Sequence, residues 1–175
     1  AVQPVLHHLQ LDPALASRCL AVNGVSKTYA MTGWRIGYGI GPVELIKAMT
    51  LLQLQTTSGA SSISQAAALA ALTGPQECVA DFRALYKARR DVAVGILSTV
   101  PGLNFVVPEG AFYLFIECSS FIGKKTPAGH VINDDADFAN YLLRDAGVSI
   151  LNGQAYGQKN SVRLAFTNAL PLIKQ

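Results

Sequence analysis

Short apolar stretches alternate with longer helix-like segments along this chain, and glycine or proline residues separate them. The segment 33–41 alternates large apolar side chains with arginine and glycine, which is the two-residue period of a strand. Pro42 follows directly and suits the first turn of a helix, which we expect to run to about Leu54. This alternation predicts the α/β class of fold.

A change of composition divides the chain near residue 75. There a Thr-Gly-Pro sequence separates an Ala-rich helix, 63–72, from a long helix that we expect to reach about Ser98. The Ala-rich helix is apolar nearly all round, so we expect it either to be buried or to press on a partner. We therefore predict two α/β regions, residues 1–75 and residues 76–175, with the long helix at the start of the second.

The second region shows a similar alternation of elements. Asp134 and Asp135 can cap a helix whose end Gly147 would form. We expect its strands at four places: 103–107, 111–116, 148–151 and 161–166.

The composition of the chain argues against several classes of protein. Half of the residues are hydrophobic, 14% are charged, and the mean hydropathy is +0.30. Intrinsic disorder is excluded by these values, which instead predict extensive burial against a partner subunit or another segment of the same protein. A net charge of +3 without a run of five like charges argues against nucleic-acid binding. Polar residues interrupt the longest uncharged stretch, 48–76, so we expect no membrane span.

The cysteines and histidines do not predict a metal site. The chain has three widely spaced cysteines: Cys19, Cys78 and Cys118. They form no C-x-x-C pair, which is typical of reduced thiols in a cytoplasmic protein. His7, His8 and His130 have no Cys, Asp or Glu at ligand spacing, so we expect no metal. We also expect no signal peptide, and because the initiator Met is missing we expect the chain to begin inside a longer protein.

One lysine and one arginine have the spacing of a candidate site. Lys27 follows a short apolar stretch, 20–23, and an Asn-Gly turn, and it lies among small and apolar residues. Partial removal of this lysine from water would favour its neutral, nucleophilic amine. Arg35 lies eight positions later in the strand predicted at 33–41, and its planar guanidinium suits a phosphate. Together the pair meets the needs of an aldehyde-phosphate cofactor, although spacing alone leaves two surface cations as the alternative.

The sequence around this pair, S-K-T-Y-A-M-T-G-W-R-I-G-Y at 26–38, resembles class I aminotransferases. These are the pyridoxal-phosphate enzymes of fold type I, and the resemblance is strongest to their bacterial aspartate aminotransferase branch. It implies that Lys27 binds the cofactor covalently, that Arg35 contacts the cofactor phosphate, and that Ser26 belongs to the phosphate-binding shell.

The same resemblance assigns each region of the chain to a domain. Residues 1–75 would be the end of the large pyridoxal-phosphate-binding domain, with a mixed sheet and helices. Residues 76–175 would be a long linking helix and a small α+β C-terminal domain.

The resemblance continues along most of the chain. It includes P-E-G-A-F-Y at 108–113, the loop 123–129 and S-V-R-L-A-F-T at 161–167. In the last of these the family's arginine binds the substrate α-carboxylate, which implies this role for Arg163. The family's partner of the cofactor ring nitrogen lies upstream of the lysine. We therefore expect this chain to be the second half of a longer enzyme and to be inactive alone.

The implied reaction transfers an amino group between an amino acid, aspartate or a similar one, and a 2-oxo acid. The implied cofactor is pyridoxal 5'-phosphate, and the implied assembly is a cytoplasmic homodimer. Two alternatives stay open. One is another pyridoxal-phosphate reaction on the same scaffold, by a lyase or a synthase. The other is a truncated, non-catalytic chain that only dimerises or binds a partner.

Overall fold

The computed structural model describes residues 13–174, and these separate into two compact units. The first unit ends at Phe82 and the second begins at Arg83. Each unit has its own antiparallel sheet, with two strands in the first and four in the second. His7 and His8, for which we expect no metal, lie outside the described residues.

The first unit is built around a two-stranded ribbon. Its elements, in chain order, are β1 (Ala21–Gly24), α1 (Val25–Thr28), β2 (Gly37–Ile40), α2 (Val43–Thr56) and α3 (Ser62–Thr73), with 3-10 turns at Pro13–Ser17 and Thr32–Trp34. The long helix α4 (Glu77–Leu97) begins in this unit and continues into the next. The predicted helices 42–54, 63–72 and the long one after Pro75 are thus confirmed to within a few residues.

The strand predicted at 33–41 is wrong over its first four residues. Thr32–Trp34 forms a 3-10 turn, and Arg35 adopts a left-handed backbone conformation with φ 51° and ψ 48°. The strand therefore begins only at Gly37. Alternating apolar residues suggested an extended chain here, but backbone hydrogen bonding within the turn overrides that pattern: the Arg35 N–H lies 3.4 Å from the Thr32 carbonyl oxygen.

Glycines allow the ribbon to close at the end nearest α1. Gly24 lies opposite Gly37 in the antiparallel register. A Cβ on Gly24 would lie 3.1 Å from the Ile36 carbonyl oxygen, and one on Gly37 would lie 3.2 Å from the Asn23 carbonyl oxygen. Both contacts are tighter than ordinary van der Waals packing, so side chains at this pair would push the strands apart.

Little of the first unit is buried within the described residues. Its buried core consists of Val25, Ile36 and Ala68. Ala68 is the buried residue of α3, while Ile63 and Leu69 on the same helix are 78% and 63% exposed. Of the two alternatives for the Ala-rich helix, burial is therefore wrong within residues 13–174.

The second unit is an antiparallel sheet with helices. Its strands are β3 (Asn104–Phe105), β4 (Tyr113–Glu117), β5 (Leu151–Asn152) and β6 (Ser161–Ala165), in the order β3-β4-β6-β5. Between and after them lie α5 (Asp135–Ala146), α6 (Leu170–Ile173) and 3-10 turns at Ser119–Phe121 and Gly153–Tyr156. All four predicted strands exist, but β3 and β5 are only two residues long, and the prediction at 148–150 is wrong.

Helix α5 begins and ends at the predicted residues. The Asp134 side chain accepts a hydrogen bond of 2.9 Å from the Asp137 N–H, which is an N-cap. Gly147 has φ +66° and forms the left-handed C-cap. Asp135, the other predicted cap, lies instead in the first turn, where its side chain is completely buried.

The two faces of this four-stranded sheet differ. Leu114, Ile116 and Val162 are buried in a core that they share with α4 and α5. Because side chains alternate along a strand, Tyr113, Phe115 and Arg163 lie on the opposite face. None of the helices in residues 13–174 is long and apolar enough to cross a lipid bilayer.

Candidate functional site

The ribbon register places the predicted lysine and arginine at the same end of the sheet. Lys27 comes three residues after Gly24, the last residue of β1, and Arg35 comes two residues before Gly37, the first of β2. Since Gly24 and Gly37 pair with each other, both cations lie beyond the same end of the ribbon. The short helix α1 and the turn Thr32–Trp34 also lie against each other there.

Lys27 lies on a helix of one turn that a buried residue anchors. Val25 is completely buried, Ser26 is half-buried, and the Lys27 side chain is exposed. We expected this lysine to be partly shielded from water, but residues 13–174 leave it exposed. The position after the strand, by contrast, agrees with the sequence prediction.

Arg35 has an uncommon backbone conformation that its own turn stabilises. Its guanidinium Nη1 donates a hydrogen bond of 2.9 Å to the Thr32 carbonyl oxygen. A left-handed conformation in a residue other than glycine costs about 1 kcal/mol or more, and such strain concentrates at functional sites. Arg35 is exposed, and no carboxylate in residues 13–174 pairs with its guanidinium.

These residues suit a molecule that carries both an aldehyde and a phosphate. An exposed primary amine can bond covalently to an aldehyde, and a guanidinium can donate paired hydrogen bonds to phosphate oxygens. The hydroxyl of Ser26 is a further donor on the same short helix. Lys27, Arg35 and Ser26 therefore fit the aldehyde-phosphate cofactor that their sequence pattern indicates.

The second unit contains the arginine predicted to bind a carboxylate. Arg163 lies on β6, directly opposite Phe115 of β4 and Leu151 of β5. Its guanidinium carbon is 4.3 Å from the ring centre of Tyr113 and 4.4 Å from that of Tyr156. These distances are well inside the range of a cation–π contact.

Arg163 is half-buried, but no acidic side chain in residues 13–174 forms an ion pair with it. A partly desolvated guanidinium without a carboxylate partner is suited to bind a carboxylate from a ligand. Because both aromatic contacts are made through ring faces, the N–H donors of the guanidinium are not used by them.

Sequence reasoning missed two residues around this arginine and the role of a third. Tyr113 ends the P-E-G-A-F-Y motif, but its contact with Arg163 depends on the register between β4 and β6. Tyr156 reaches Arg163 from a 3-10 turn. Asp135 fixes that turn, because it accepts hydrogen bonds from the backbone N–H and the side-chain Nε2 of Gln154, at 2.9 and 2.7 Å.

The buried cysteine of the second unit is not a candidate nucleophile. Cys118 is completely buried, and burial raises the pKa of its thiol to about 11. A thiol with this pKa is protonated near neutral pH. Within residues 13–174, no three His, Cys, Asp or Glu side chains are grouped as a metal site would require.

Comparison with known proteins now decides the family. The profile of the family described as aminotransferase class I and II matches residues 2–171 of the chain. The chain belongs to this family. Aminotransferases of this family depend on pyridoxal phosphate, so the resemblance, the enzyme class and the cofactor inferred from the sequence are confirmed.

Curated relatives lie in the aspartate aminotransferase branch. The chain is 50% identical over 166 residues to the aspartate aminotransferase of Rhizobium meliloti (strain 1021), which covers 95% of this chain and 40% of the relative. It is 46% identical over 166 residues to the aspartate/prephenate aminotransferase of Cereibacter sphaeroides, covering 95% of this chain and 42% of that protein. The chain thus spans about two fifths of the length of these relatives.

Solved structures agree with the fold. The crystal structure of the aspartate aminotransferase from Rhizobium meliloti matches with a TM-score of 0.91 and 48% identity, over 97% of this chain and 42% of that one. The aromatic aminotransferase from Pyrococcus horikoshii matches with a TM-score of 0.85 and 29% identity, over 98% of this chain and 44% of that one. The predicted α/β class is confirmed by these matches.

Proposed function

We propose that this chain is the cofactor-lysine and carboxylate-binding portion of an aspartate aminotransferase. The proposal rests mainly on one observation: in a member of this family, strand pairing places Lys27 and Arg35 at one end of the same ribbon. Residues 1–75 would be the end of the large cofactor-binding domain. Residues 76–175 would be the linking helix and the small C-terminal domain.

Three residues of the first unit would hold the cofactor. Lys27 binds its aldehyde, and Arg35 binds its phosphate with the Ser26 hydroxyl as a further donor. When bound, pyridoxal phosphate supplies an electron sink that stabilises negative charge at the substrate Cα. The Nζ of Lys27 would act as the general base that removes the Cα proton and then as the acid that returns a proton.

Arg163 would bind the α-carboxylate of the amino acid and of the 2-oxo acid. Its planar donors form a bidentate pair with a carboxylate, which fixes the orientation of the Cα–H bond. The two tyrosine rings at 4.3 and 4.4 Å restrict the guanidinium before the substrate arrives. Aspartate is the proposed amino donor because the named relatives are aspartate and aspartate/prephenate aminotransferases.

We further propose that the active protein is longer than these residues and is a homodimer. Leu51 and Leu52 on α2 are 62% and 66% exposed, and Ile63 on α3 is 78% exposed. Apolar surface of this kind on adjacent helices is typical of an interface rather than of a surface in contact with water. The span 1–175 assayed alone would fall well below ordinary turnover rates of about 1–1000 per second.

Borohydride reduction tests the cofactor role directly. The full-length protein would be loaded with pyridoxal phosphate, reduced with borohydride and digested, and its peptides would be analysed by mass spectrometry. We expect the added mass on Lys27, and an assay with aspartate and 2-oxoglutarate should show amino transfer. Labelling of another lysine would refute the assignment.

The same experiment separates the two alternatives. Labelling without any dependence of turnover on a 2-oxo acid would indicate a lyase or a synthase. A protein that is neither coloured nor labelled would indicate a non-catalytic binding chain.

A further inference from the structure

We propose that Tyr156 is a positioning residue for Arg163, and that Asp135 holds Tyr156 in place through Gln154. The inference rests on the proposed role of Arg163 in carboxylate binding. It adds a chain of contacts that runs from a buried carboxylate on α5 to the guanidinium on β6.

The two rings on Arg163 are held by different elements of the unit. Tyr113 lies on β4, two residues from Phe115, which pairs directly with Arg163. Its position is therefore fixed by the sheet. Tyr156 lies at the end of the 3-10 turn Gly153–Tyr156, outside the sheet ladder, and needs a separate restraint.

Asp135 provides that restraint. Its side chain is completely buried in the first turn of α5, and each carboxylate oxygen accepts one hydrogen bond from Gln154. A buried carboxylate is stable only when hydrogen bonds compensate its lost hydration, so this pair ties the turn to α5. Gly153 is also buried, and a Cβ there would collide with the carbonyl oxygens of Gln158 and Ser161.

The Tyr156 ring contributes little to the core of the unit. It remains 47% exposed, and its ring contacts are Arg163 at 4.4 Å and an edge-to-face contact with Phe115 at 6.2 Å. A half-exposed ring over a half-buried guanidinium restricts the rotamers of a long side chain and leaves its in-plane donors to a ligand. The proposed function of the ring is therefore to orient, which a phenylalanine ring would also do.

The first test measures succinate, a simple dicarboxylate, as an inhibitor of the full-length holoenzyme. Tyr156→Leu should raise its inhibition constant about fivefold to tenfold, because the guanidinium loses one of its two ring contacts. Tyr156→Phe should restore most of the affinity. Pyridoxal phosphate affinity should not change in either variant. An unchanged inhibition constant in Tyr156→Leu would overturn the proposal.

A matched control separates orientation from stability. Tyr141 is half-buried on α5, packs on the core of the same unit and has no ring contact with Arg163. Tyr141→Leu should lower the unfolding midpoint without changing the inhibition constant of succinate. An equal rise in Tyr141→Leu and Tyr156→Leu would show a merely structural effect and would overturn the proposal.

A double-mutant cycle identifies the residue through which Tyr156 acts. In an Arg163→Leu background, the Tyr156→Leu change should have no further effect on succinate, since the group that it orients is gone. A full additional loss in that background would overturn the proposal. If Arg163→Leu itself leaves succinate binding intact, the proposed function of Arg163 fails instead, which is a distinguishable result.

Asp135 is tested by the same cycle. Asp135→Asn keeps the shape of the side chain but weakens its hydrogen bonds to Gln154, and it should raise the inhibition constant in the same direction as Tyr156→Leu. The double variant that combines Asp135→Asn with Tyr156→Leu should bind succinate no more weakly than Tyr156→Leu alone. Additive losses would overturn the role of Asp135, and if Asp135→Asn does not fold, Gln154→Ala tests the same contact by the same criterion.

Discussion

The two units of this chain differ in how much of their stability they carry themselves. The second unit buries a core of eight residues from its sheet and helices, including Leu114 and Phe138. Within its described part, the first unit buries only Val25, Ile36 and Ala68, while α2 and α3 expose large apolar side chains. Hydrophobic burial scales with the apolar area removed from water, so the second unit has much the larger share of this driving force.

The unit with the smaller core carries the candidate lysine, and the unit with the larger core carries most of the buried apolar surface. The first unit has little core, but it places a lysine and a strained arginine at one end of a ribbon. The second unit has a well-packed core and uses the outer face of its sheet to hold Arg163 against two tyrosine rings. Substitutions in the two units should therefore affect different measurements.

The largest effect should come from the first unit and should leave its stability intact. Lys27→Ala in the full-length protein should lower turnover about 1000-fold or more, because both the covalent attachment point and the general base are lost. Since the side chain is exposed in residues 13–174, the urea unfolding midpoint of the cofactor-free span 1–175 should not change in this variant. Steady-state assays with aspartate and 2-oxoglutarate measure the turnover, and circular dichroism measures the unfolding midpoint.

Lys47 provides the matched control for that experiment. It is an exposed lysine of the same unit, and it forms an ion pair of 3.0 Å with Glu44 on α2. Lys47→Ala should keep full turnover and full borohydride labelling. Comparable losses in the two variants would show that positive charge, rather than the position of Lys27, matters.

The next effect concerns stability and should be confined to the second unit. Leu114→Ala removes a completely buried side chain and should lower the free energy of unfolding by about 2–5 kcal/mol. Leu69→Ala, at a position that is 63% exposed, should change it by less than about 0.5 kcal/mol in the span 1–175. Urea denaturation of both variants measures the contrast.

The same Leu69 variant sharpens the comparison when it is made in the full-length protein. If α3 is covered in the full-length protein, as we propose, Leu69→Ala should lower the free energy of unfolding there by nearly as much as the loss of a buried leucine does. A cost that stays small in the longer protein would contradict the proposed interface.

Thiol labelling compares packing in the two units without any mutation. Cys78 on α4 is exposed and belongs to the first unit, whereas Cys118 is completely buried in the second. Burial also raises the pKa of Cys118 to about 11, so at pH 8 it is both inaccessible and protonated. Ellman's reagent should label Cys78 rapidly in the native state and Cys118 only after denaturation. Similar labelling rates would contradict the packing difference.

The smallest effect is a pH dependence at the start of α5. The backbone N–H and side-chain amide of Asn133 donate hydrogen bonds of 2.9 and 2.8 Å to Asp137, which holds the pKa of this carboxyl below its ordinary value of 3.8. A lowered pKa in the folded state favours the charged form, so this contribution is complete above the unfolded value and is lost as the pH falls through the folded one.

Asn133→Ala tests this contribution, because it removes the amide donor and keeps the backbone donor. The pKa of Asp137 should rise some of the way toward 3.8, as measured by an NMR titration of the carboxyl carbon. No rise would mean that the backbone N–H alone accounts for the shift.

Much of the fold was predictable because its signals are local. The ends of α5 follow from an aspartate N-cap and a glycine C-cap, Asp134 and Gly147, whose effects reach only a few residues. Lys27 was predictable in the same way, since a strand ends three residues before it. The turn expected at Asn23-Gly24 is wrong, because both residues pair within the ribbon. The resemblance of the surrounding motif to a known family then indicated the cofactor, whose identity the spacing of Lys27 and Arg35 alone left open.

The remaining features depend on contacts that no local pattern contains. The left-handed conformation of Arg35 was missed because the alternation of apolar residues at 33–41 also fits a strand through this residue. The Tyr156 contact was missed because it requires the packing of a 3-10 turn against β6. The cap prediction for Asp135 is wrong because Asp134 is the N-cap, and the Asp135 side chain instead accepts hydrogen bonds from Gln154, 19 residues away.

The ribbon register also bears on the order in which the site assembles. Lys27 and Arg35 are brought together by strands that a connection of 12 residues, 25–36, joins. Closing such a short loop costs little chain entropy and takes place on a submicrosecond scale. Arg163 instead meets Tyr113 only after segments 50 positions apart along the chain have found each other. Contacts of such long sequence separation form slowly, so during folding the ribbon end that carries Lys27 and Arg35 can form and dissolve many times before Arg163 gains its contact with Tyr113.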